Sequence, residues 1–303
     1  MEMLLDWNLI ASTLRIVAPL LFAALGGALC ARAGLFNVAL EGMMLTGAFT
    51  AILGNHLFGN PYLGVLFSCL CVALLSLLFA YLSIELQANA IIVGIAINFL
   101  ALGLTAFLLS VVFGVKGQYY NPAMVGLPEW DIPVLKEIPV LGDILSGHTP
   151  LVYMAFILAF VLQFAVFRTV WGFRLTAVGE NAAAAQSVGL RVKRYQYGAV
   201  LSSGILCALA GAQLSLGQVT LFTENMTSGR GFIALVAAML GQNNPLGVAL
   251  ASLLFGFADA VGTRLQGFAL PTHFTMMLPY VITIAVMFFF KDKAYIRQSG
   301  RMD

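Results

Sequence analysis

Asn89-Ala-Ile-Ile-Val-Gly-Ile-Ala-Ile-Asn98-Phe-Leu-Ala-Leu-Gly-Leu-Thr-Ala-Phe-Leu-Leu-Ser-Val-Val-Phe113 runs for 25 residues without an Asp, Glu, Lys, Arg or His. As an α-helix at 1.5 Å per residue it is roughly 37 Å long, enough to cross the ~30 Å hydrocarbon core of a bilayer. A membrane β-strand would alternate apolar and polar residues over about ten positions. This stretch does not alternate. Its reading as a spanning helix decides the fold class, because the same pattern recurs on both sides of it.

Working outward, comparable runs lie at about 10–30, 35–54, 62–83, 150–167, 198–221, 246–264 and 272–290. A further run at 231–243 is too short to span and is expected to be a half-helix or a re-entrant segment buried against protein. The expectation is an all-α integral membrane protein, a polytopic bundle of about 8–10 helices forming one domain over residues 1–303. Counted fully, the runs give nine crossings. Composition agrees. The chain is 61% hydrophobic and 9% charged, with a mean hydropathy of +0.95, whereas soluble domains have about 45–50% apolar and ~25% charged residues. Disorder, collagen, coiled coil and disulfide scaffold are excluded by the same figures.

The net charge of +2 is too balanced for a nucleic-acid binder. Cys30, Cys69, Cys71 and Cys207 all sit inside apolar runs and read as packing residues, not as a disulfide framework or a metal site. The chain opens with Glu2 and Asp6, unlike the basic start of a cleavable signal peptide, so the first apolar run is expected to remain as a helix.

Two long loops and the tail set the orientation. Residues 114–149 carry Glu129, Asp131, Glu137 and Asp143 against Lys116 and Lys136. Residues 168–197 carry Arg168, Arg174, Arg191, Lys193 and Arg194 against Glu180 alone, and the tail 291–303 carries Lys291, Lys293, Arg297 and Arg301. By the positive-inside rule the second loop and the tail are cytoplasmic and the first loop is external. The N-terminus then lies outside and the C-terminus inside. Arg230 and Arg264 fall on the outer side in this count. Asn60-Pro61-Tyr62-Leu63-Gly64-Val65 is echoed by Asn244-Pro245-Leu246-Gly247-Val248, with the two copies facing opposite sides. Inverted repeats of that kind mark transporters.

Four polar residues lie where lipid would not tolerate them. Glu41 falls inside the run 35–54, about six residues or ~9 Å from its cytoplasmic end. A carboxylate at a bilayer centre costs on the order of 2–3 kcal/mol or more, so it must face protein or water. It reads either as a pathway or gating element or as a polar clamp between helices, with Asn37 at i−4 placed to hydrogen-bond it. Asn98, near the middle of its helix, and Asp259 should face the bundle interior, as solute contacts or as interhelical hydrogen-bonding groups. Phe222–Gly231 is a polar stretch that either lines the external mouth or connects two elements.

The basic loop holds the run Asn181 to Val188, with four alanines and no strong breaker. It should be a short helix, with Glu180 and Asn181 at its start and Gly189 at its end. Held between two spans on the basic face, it either docks on a cytoplasmic partner or rests on the membrane surface, and its Ala-rich face, poor in Trp and Phe, favours the partner. No G-x-x-x-x-G-K-[ST], H-E-x-x-H or G-x-S-x-G motif occurs, and His56, His148 and His273 are far apart. Nothing in the chain suggests catalysis.

Gly34-Leu-Phe-Asn-Val-Ala-Leu-Glu-Gly-Met-Met44, Ala177-Val-Gly-Glu-Asn-Ala-Ala-Ala-Ala185 and Gly231-Phe-Ile-Ala-Leu-Val-Ala-Ala-Met-Leu-Gly-Gln-Asn-Asn-Pro-Leu-Gly247 resemble, in order and spacing, the permease subunits of bacterial ABC importers for nucleosides and simple sugars. These belong to the branched-chain amino acid/ribose-type permease superfamily. The resemblance covers nearly the whole chain. It implies a bacterial inner-membrane subunit that pairs with a second, homologous permease. It further implies an ATPase with two nucleotide-binding modules beneath and a substrate-binding lipoprotein outside. This chain would then need no cofactor of its own, since ATP is bound by the partner. By the same resemblance Gly179, Glu180, Asn181, Ala182, Ala183 and the segment to Gly189 form the coupling helix that touches the ATPase. The broader importer pattern is Glu-Ala-Ala with a Gly three residues on; here Asn181 intervenes and the glycine comes later. The competing reading is an ion-coupled secondary transporter that uses Glu41 and Asp259 as ion sites.

Overall fold

The computed structural model describes residues 7–130 and 146–265. The run at 272–290, the tail and the acids Asp131, Glu137 and Asp143 lie outside the described residues.

Ten α-helices order the described chain. They are α1 (Trp7–Arg32), α2 (Leu40–Phe58), α3 (Pro61–Ala80), α4 (Ala90–Phe113), α5 (Pro150–Arg168), α6 (Val170–Glu180), α7 (Ala182–Ser187), α8 (Val192–Ala212), α9 (Arg230–Leu240) and α10 (Pro245–Leu265). A π-helical turn prolongs α3 through Tyr81–Glu85 and α8 through Gln213–Gln218. Six of these helices are long and apolar enough to cross a membrane: α1, α3, α4, α5, α8 and α10. Their lipid-facing surfaces are as apolar as their cores. Phe99, Phe107, Phe160 and Phe164 are all exposed, as expected where the surrounding solvent is hydrocarbon.

The helix α2 is different. It is buried along nearly its whole length, including Glu41, Thr50 and Asn55. It begins at Leu40 and not at 35, because the chain breaks after α1. Gly34 takes a left-handed φ of 79°, and the Asn37 side chain accepts from Ala39 N at 3.0 Å. Glu41 is therefore the second residue of α2 and not the seventh. The run expected over 198–221 starts six residues earlier, at Val192, and an unexpected helix, α6, fills the first part of the basic loop.

The Asn-Pro echo marks two structurally corresponding triplets, α1–α2–α3 and α8–α9–α10. In each, a long helix is followed by a non-helical break, a second helix of 19 residues in α2 and 11 in α9, and then a helix opened by Asn-Pro. Asn60 Oδ1 accepts from Tyr62 N at 2.9 Å, and Asn244 Oδ1 accepts from Leu246 N at 3.2 Å. The helix α1 packs on α10 through Val17 and Gly256, as α8 packs on α3 through Gly204 and Ser76. Each second helix meets its follower at a glycine pair, Gly54–Gly64 and Gly241–Gly247. The triplets run in opposite senses. Cys30 lies by Ala199 and Gly26 by Ser203, so α1 and α8 are antiparallel.

At one end of the bundle β1 (Gln118–Tyr119) pairs antiparallel with β2 (Phe222–Thr223), with Tyr119 opposite Phe222. This ribbon end is fastened by Arg15, whose Nη2 donates to Gly147 O at 2.9 Å and whose Nε meets His148 Nδ1 at 3.2 Å. The other end carries Arg32, Arg168, Arg174, Arg191, Lys193 and Arg194 and is the basic end.

Candidate functional site

Every helix leaves its first N–H groups without intrahelical partners. A helix that starts inside a bundle must find acceptors there, and α2 and α9 both do. At α2, Asn98 of α4 supplies the acceptor. Its Oδ1 accepts from Gly42 N at 2.8 Å, while its Nδ2 donates to Val38 O at 3.0 Å. Both polar ends of the Asn98 amide are thus taken by the break before α2. The α4 backbone comes so close that a Cβ on Gly42 would lie 2.8 Å from Asn98 Cα. Asn37 turns to α8, donating from Nδ2 to Ser203 Oγ at 3.2 Å. The i−4 bond to Glu41 is not made, since Asn37 precedes the helix.

At α9 the acceptor is Glu41 itself. Its Oε1 accepts from Thr227 Oγ1 at 2.5 Å and from Gly229 N at 2.9 Å, and its Oε2 accepts from Gly231 N at 2.6 Å. The carboxylate sits at the positive end of the α9 dipole, where negative charge is stabilised. It replaces a local N-cap, which Gly229 cannot supply. Thr227 is fully buried and Glu41 nearly so. A Cβ on Gly231 would lie 2.5 Å from Glu41 Cα, so the two helices touch backbone to backbone at their starts. The polar stretch 222–231 joins β2 to α9 and carries the donors that Glu41 accepts from. It descends from the ribbon into the bundle to meet Glu41.

From there α9 runs ~16 Å to the basic end. Its last turn is held by Arg32. The Arg32 Nε donates to Asn243 O at 2.6 Å, its Nη1 lies 3.4 Å from Thr176 Oγ1, and its guanidinium stacks 4.5 Å above the Phe167 ring. One side chain therefore joins the end of α1 to α5, α6 and the α9–α10 turn. Arg230, at the start of α9, pairs with Asp259 of α10 at 3.7 Å, each about one-third exposed. Arg230 is a bundle residue at the head of a half-helix, not an external loop residue.

The basic loop folds as two helices in sequence. Thr169 Oγ1 accepts from Gly172 N at 3.3 Å to start α6. Asn181, extended, ends α6 and caps α7, accepting at Oδ1 from Ala184 N at 2.9 Å. Gly189, with φ at 86°, ends the unit. Of α7 only Ala185 is buried; Ala182, Ala183, Ala184, Gln186 and Ser187 stand free, as do Glu180 and Asn181. Gly179 is the exception on this surface. A Cβ there would come 2.1 Å from Arg32 O and 2.8 Å from Gly34 N. The two motifs that carry the family resemblance, at 34–44 and 177–185, thus touch through two glycines.

Glu41, Asn37 and Asn98 converge around the starts of α2 and α9. Asp259 stands apart with Arg230. Thr227, Gly229, Arg230 and Arg32 complete these arrangements and were not singled out as site residues from sequence. The signal for the first three was faint but present: Thr227-Ser-Gly-Arg-Gly231 puts small residues and free N–H groups just before a helix too short to span.

Comparison with known proteins places this architecture. The profile of the branched-chain amino acid transport system/permease component family matches residues 9–287. The nucleoside ABC transporter permease protein NupC of Lactococcus lactis subsp. cremoris (strain MG1363) is 37% identical, covering 94% of this chain and 93% of that one. The guanosine ABC transporter permease protein NupQ of Bacillus subtilis (strain 168) is also 37% identical, covering 94% and 92%. A solved structure described as a metal-chelate type ABC transporter in an inward-facing conformation superposes with a TM-score of 0.54 at 17% identity, covering 92% of this chain and 84% of that one. At that identity the likeness concerns the fold alone. The match to the family profile covers nearly the whole chain, and the chain belongs to the branched-chain amino acid transport system/permease component family, as a multi-pass membrane subunit of an ABC transporter and not an enzyme.

Proposed function

We propose that this chain is one of two permease subunits lining the import path for a nucleoside, driven by a separate ATPase that docks on α6–α7. The observation that carries the proposal is the exposed, Asn181-capped α7 standing on the Gly179–Gly34 contact. A helix so free of the bundle is presented to something else. Any tilt imposed on it is delivered to the break before α2 and, through Arg32, to the end of α9. Glu41 then makes α2 and α9 move as one unit. Rocking of such a unit between two arrangements exposes a path alternately to each side.

The choice of a nucleoside over a simple sugar follows NupC and NupQ, both more similar to this chain than a Haloferax volcanii relative described as a glucose permease, TsgC13, at 31% identity. The remaining partners are a second, homologous permease, an ATPase carrying two nucleotide-binding modules and a substrate-binding lipoprotein on the outer side. The membrane is the bacterial inner membrane. The basic end faces the cytoplasm by the positive-inside rule, with the N-terminus outside and the C-terminus inside.

The ion-coupled reading loses its footing. Each oxygen of Glu41 is engaged at the α9 start, and Asp259 is paired with Arg230, which speaks against the two acids as a shared ion site. The test is purification of the tagged chain from its native membranes in mild detergent, followed by reconstitution. Co-purification of a stoichiometric ATP-binding protein and a second permease, with ATP hydrolysis stimulated by a nucleoside, is expected. Recovery of the chain alone, with uptake that follows an ion gradient, would overturn the proposal.

A further inference from the structure

Next to the docking helices, reaching Gly189 and Leu190 at the end of α7, lies a groove of about 570 Å3. Its lining includes Trp171 and Arg174 of α6 and Arg191, Arg194, Tyr195 and Gly198 around the start of α8. Among the described residues no carboxylate comes within ion-pairing distance of Arg174, Arg191 or Arg194. The polar partner of Arg174 is the Tyr195 hydroxyl, 3.5 Å from its Nη1. The neighbouring Lys193 points away and is paired with Glu85 at 2.5 Å. Three guanidinium groups thus share one concavity without a counter-charge.

The groove does not stop at the arginines. Residues 191, 194, 198, 201 and 205 follow one another at helical spacing along one face of α8. A Cβ on Gly198 would meet open space, Leu201 is half-buried and Ile205 is exposed. Arg194 to Ile205 spans ~16 Å, about half of the hydrocarbon core and so the depth of one leaflet. The cationic mouth, which ends at Gly198, is continued along α8 by an apolar surface, Leu201 and Ile205. Trp171 and Tyr195 flank the mouth, where amphipathic rings mark the membrane–water boundary.

We propose that this groove binds an anionic phospholipid. The headgroup phosphate lies among Arg174, Arg191 and Arg194, and one acyl chain lies along Gly198, Leu201 and Ile205. A free anion would make no use of the apolar leg. An acidic protein surface, approaching from water, would not reach it. The inference needs only that the chain crosses a bilayer and goes beyond the transport reading.

The experiment uses the assembled transporter, purified in mild detergent and titrated with dioleoyl phosphatidylglycerol or dioleoyl phosphatidylcholine. Bound lipid is counted by native mass spectrometry, and the co-purifying ATPase is measured in the same sample. The wild type retains phosphatidylglycerol in preference to phosphatidylcholine. The pair Arg191→Gln with Arg194→Gln loses roughly tenfold or more of that preference, since each basic residue near an anionic headgroup contributes about 1 kcal/mol. Gly198→Phe, which keeps every arginine and fills the end of the groove where the acyl chain would leave it, loses the bound lipid as well. Equal retention of the two lipids by the wild type overturns the proposal. So does a Gly198→Phe protein that binds phosphatidylglycerol as the wild type does, because the site then reads charge alone. Loss of the ATPase on removing the arginines, with lipid retention unchanged, assigns the groove to the ATPase instead.

Discussion

Glu41 Oε2 lies 2.6 Å from Gly231 N, across 190 residues of sequence and between the first turns of two helices that start inside the bundle. The contact is a helix cap made in trans. A carboxylate at the start of α2 does for α9 what an Asp or Ser at position 229 would do in water. Because Oε1 also accepts from Gly229 N and Thr227 Oγ1, the start of α9 depends on this one side chain. Replacement by alanine leaves two buried donors, Thr227 Oγ1 and Gly231 N, and the part-buried Gly229 N without their acceptor, each buried one costing about 1–3 kcal/mol. Glu41→Ala is expected to lower the thermal midpoint of the purified transporter and to abolish nucleoside uptake, while the ATPase still co-purifies. Glu41→Gln keeps an acceptor oxygen but not the charge, and should fall between the two in both readouts. Wild-type uptake by Glu41→Ala would remove the coupling of α2 to α9 from the mechanism.

Gly179 tests the other end of the same train. No side chain fits there without moving the Arg32 carbonyl, which a Cβ would meet at 2.1 Å. Forcing such a contact in a packed interior costs about 1–3 kcal/mol. Gly179→Val is expected to displace α6 from Gly34 and to uncouple ATP hydrolysis from uptake, so that hydrolysis persists in the absence of nucleoside. Gly103→Val, on α4 where a Cβ meets nothing within 4 Å, is the control and should leave the ratio of hydrolysis to uptake unchanged.

How much of this was legible in the sequence differs by residue. The Asn60-Pro61 and Asn244-Pro245 echo was readable because caps are local: an Asn side chain reaches the N–H two residues on, and a proline can only open a helix. The half-helix at 231–243 was readable from its shortness alone. Glu41 was readable as an acid that needs a partner, but not as a residue of the first turn. Leu35, Phe36 and Val38 continue the apolar pattern of α2. The break there is made by Gly34 and by bonds from Asn98 and Ser203, residues that only tertiary structure brings near. Arg230 was legible as a basic residue beside a short apolar run, but its place at the first residue of α9, paired with Asp259, depends on tertiary contacts. Asn98 shows the limit most directly. A polar side chain at mid-helix has the same appearance in sequence whether it faces a solute or a neighbouring backbone, and here the backbone of 38–42 takes both of its ends.

Asn181 offers a cleaner perturbation of docking than any change to the bundle. Its side chain caps a helix of only six residues, in which the lost Ala184 N–H bond is a large share of the total. Asn181→Ala should cost about 1 kcal/mol of helix stability, and Asn181→Asp or Asn181→Ser should restore it. Expression, membrane insertion and the thermal midpoint of the bundle are expected to be unchanged, because α7 buries little beyond Ala185. The affinity of the ATPase for membranes carrying the permease should fall by several-fold and return with the restoring variants. An alanine variant that binds the ATPase as the wild type does would mean that α7 is not the docking element.

The Arg230–Asp259 pair is the last contact whose role a measurement can separate. With each side chain about one-third exposed and 3.7 Å between the charged atoms, its worth to stability is about 0.2–1 kcal/mol, as for other solvent-accessible pairs. A double-mutant cycle with Arg230→Gln and Asp259→Asn should therefore return a small coupling in thermal stability. Uptake should respond more strongly than stability, since the pair ties the head of α9 to α10 at the level of Glu41, where the moving unit begins. The expected result is a loss of uptake in both single variants with little change in the thermal midpoint. The reversed pair, Arg230→Asp with Asp259→Arg, should recover part of the activity, because the tie needs opposite charges and not their order. If both singles transport normally, the pair is a packing contact, and the head of α9 is held by Glu41 alone.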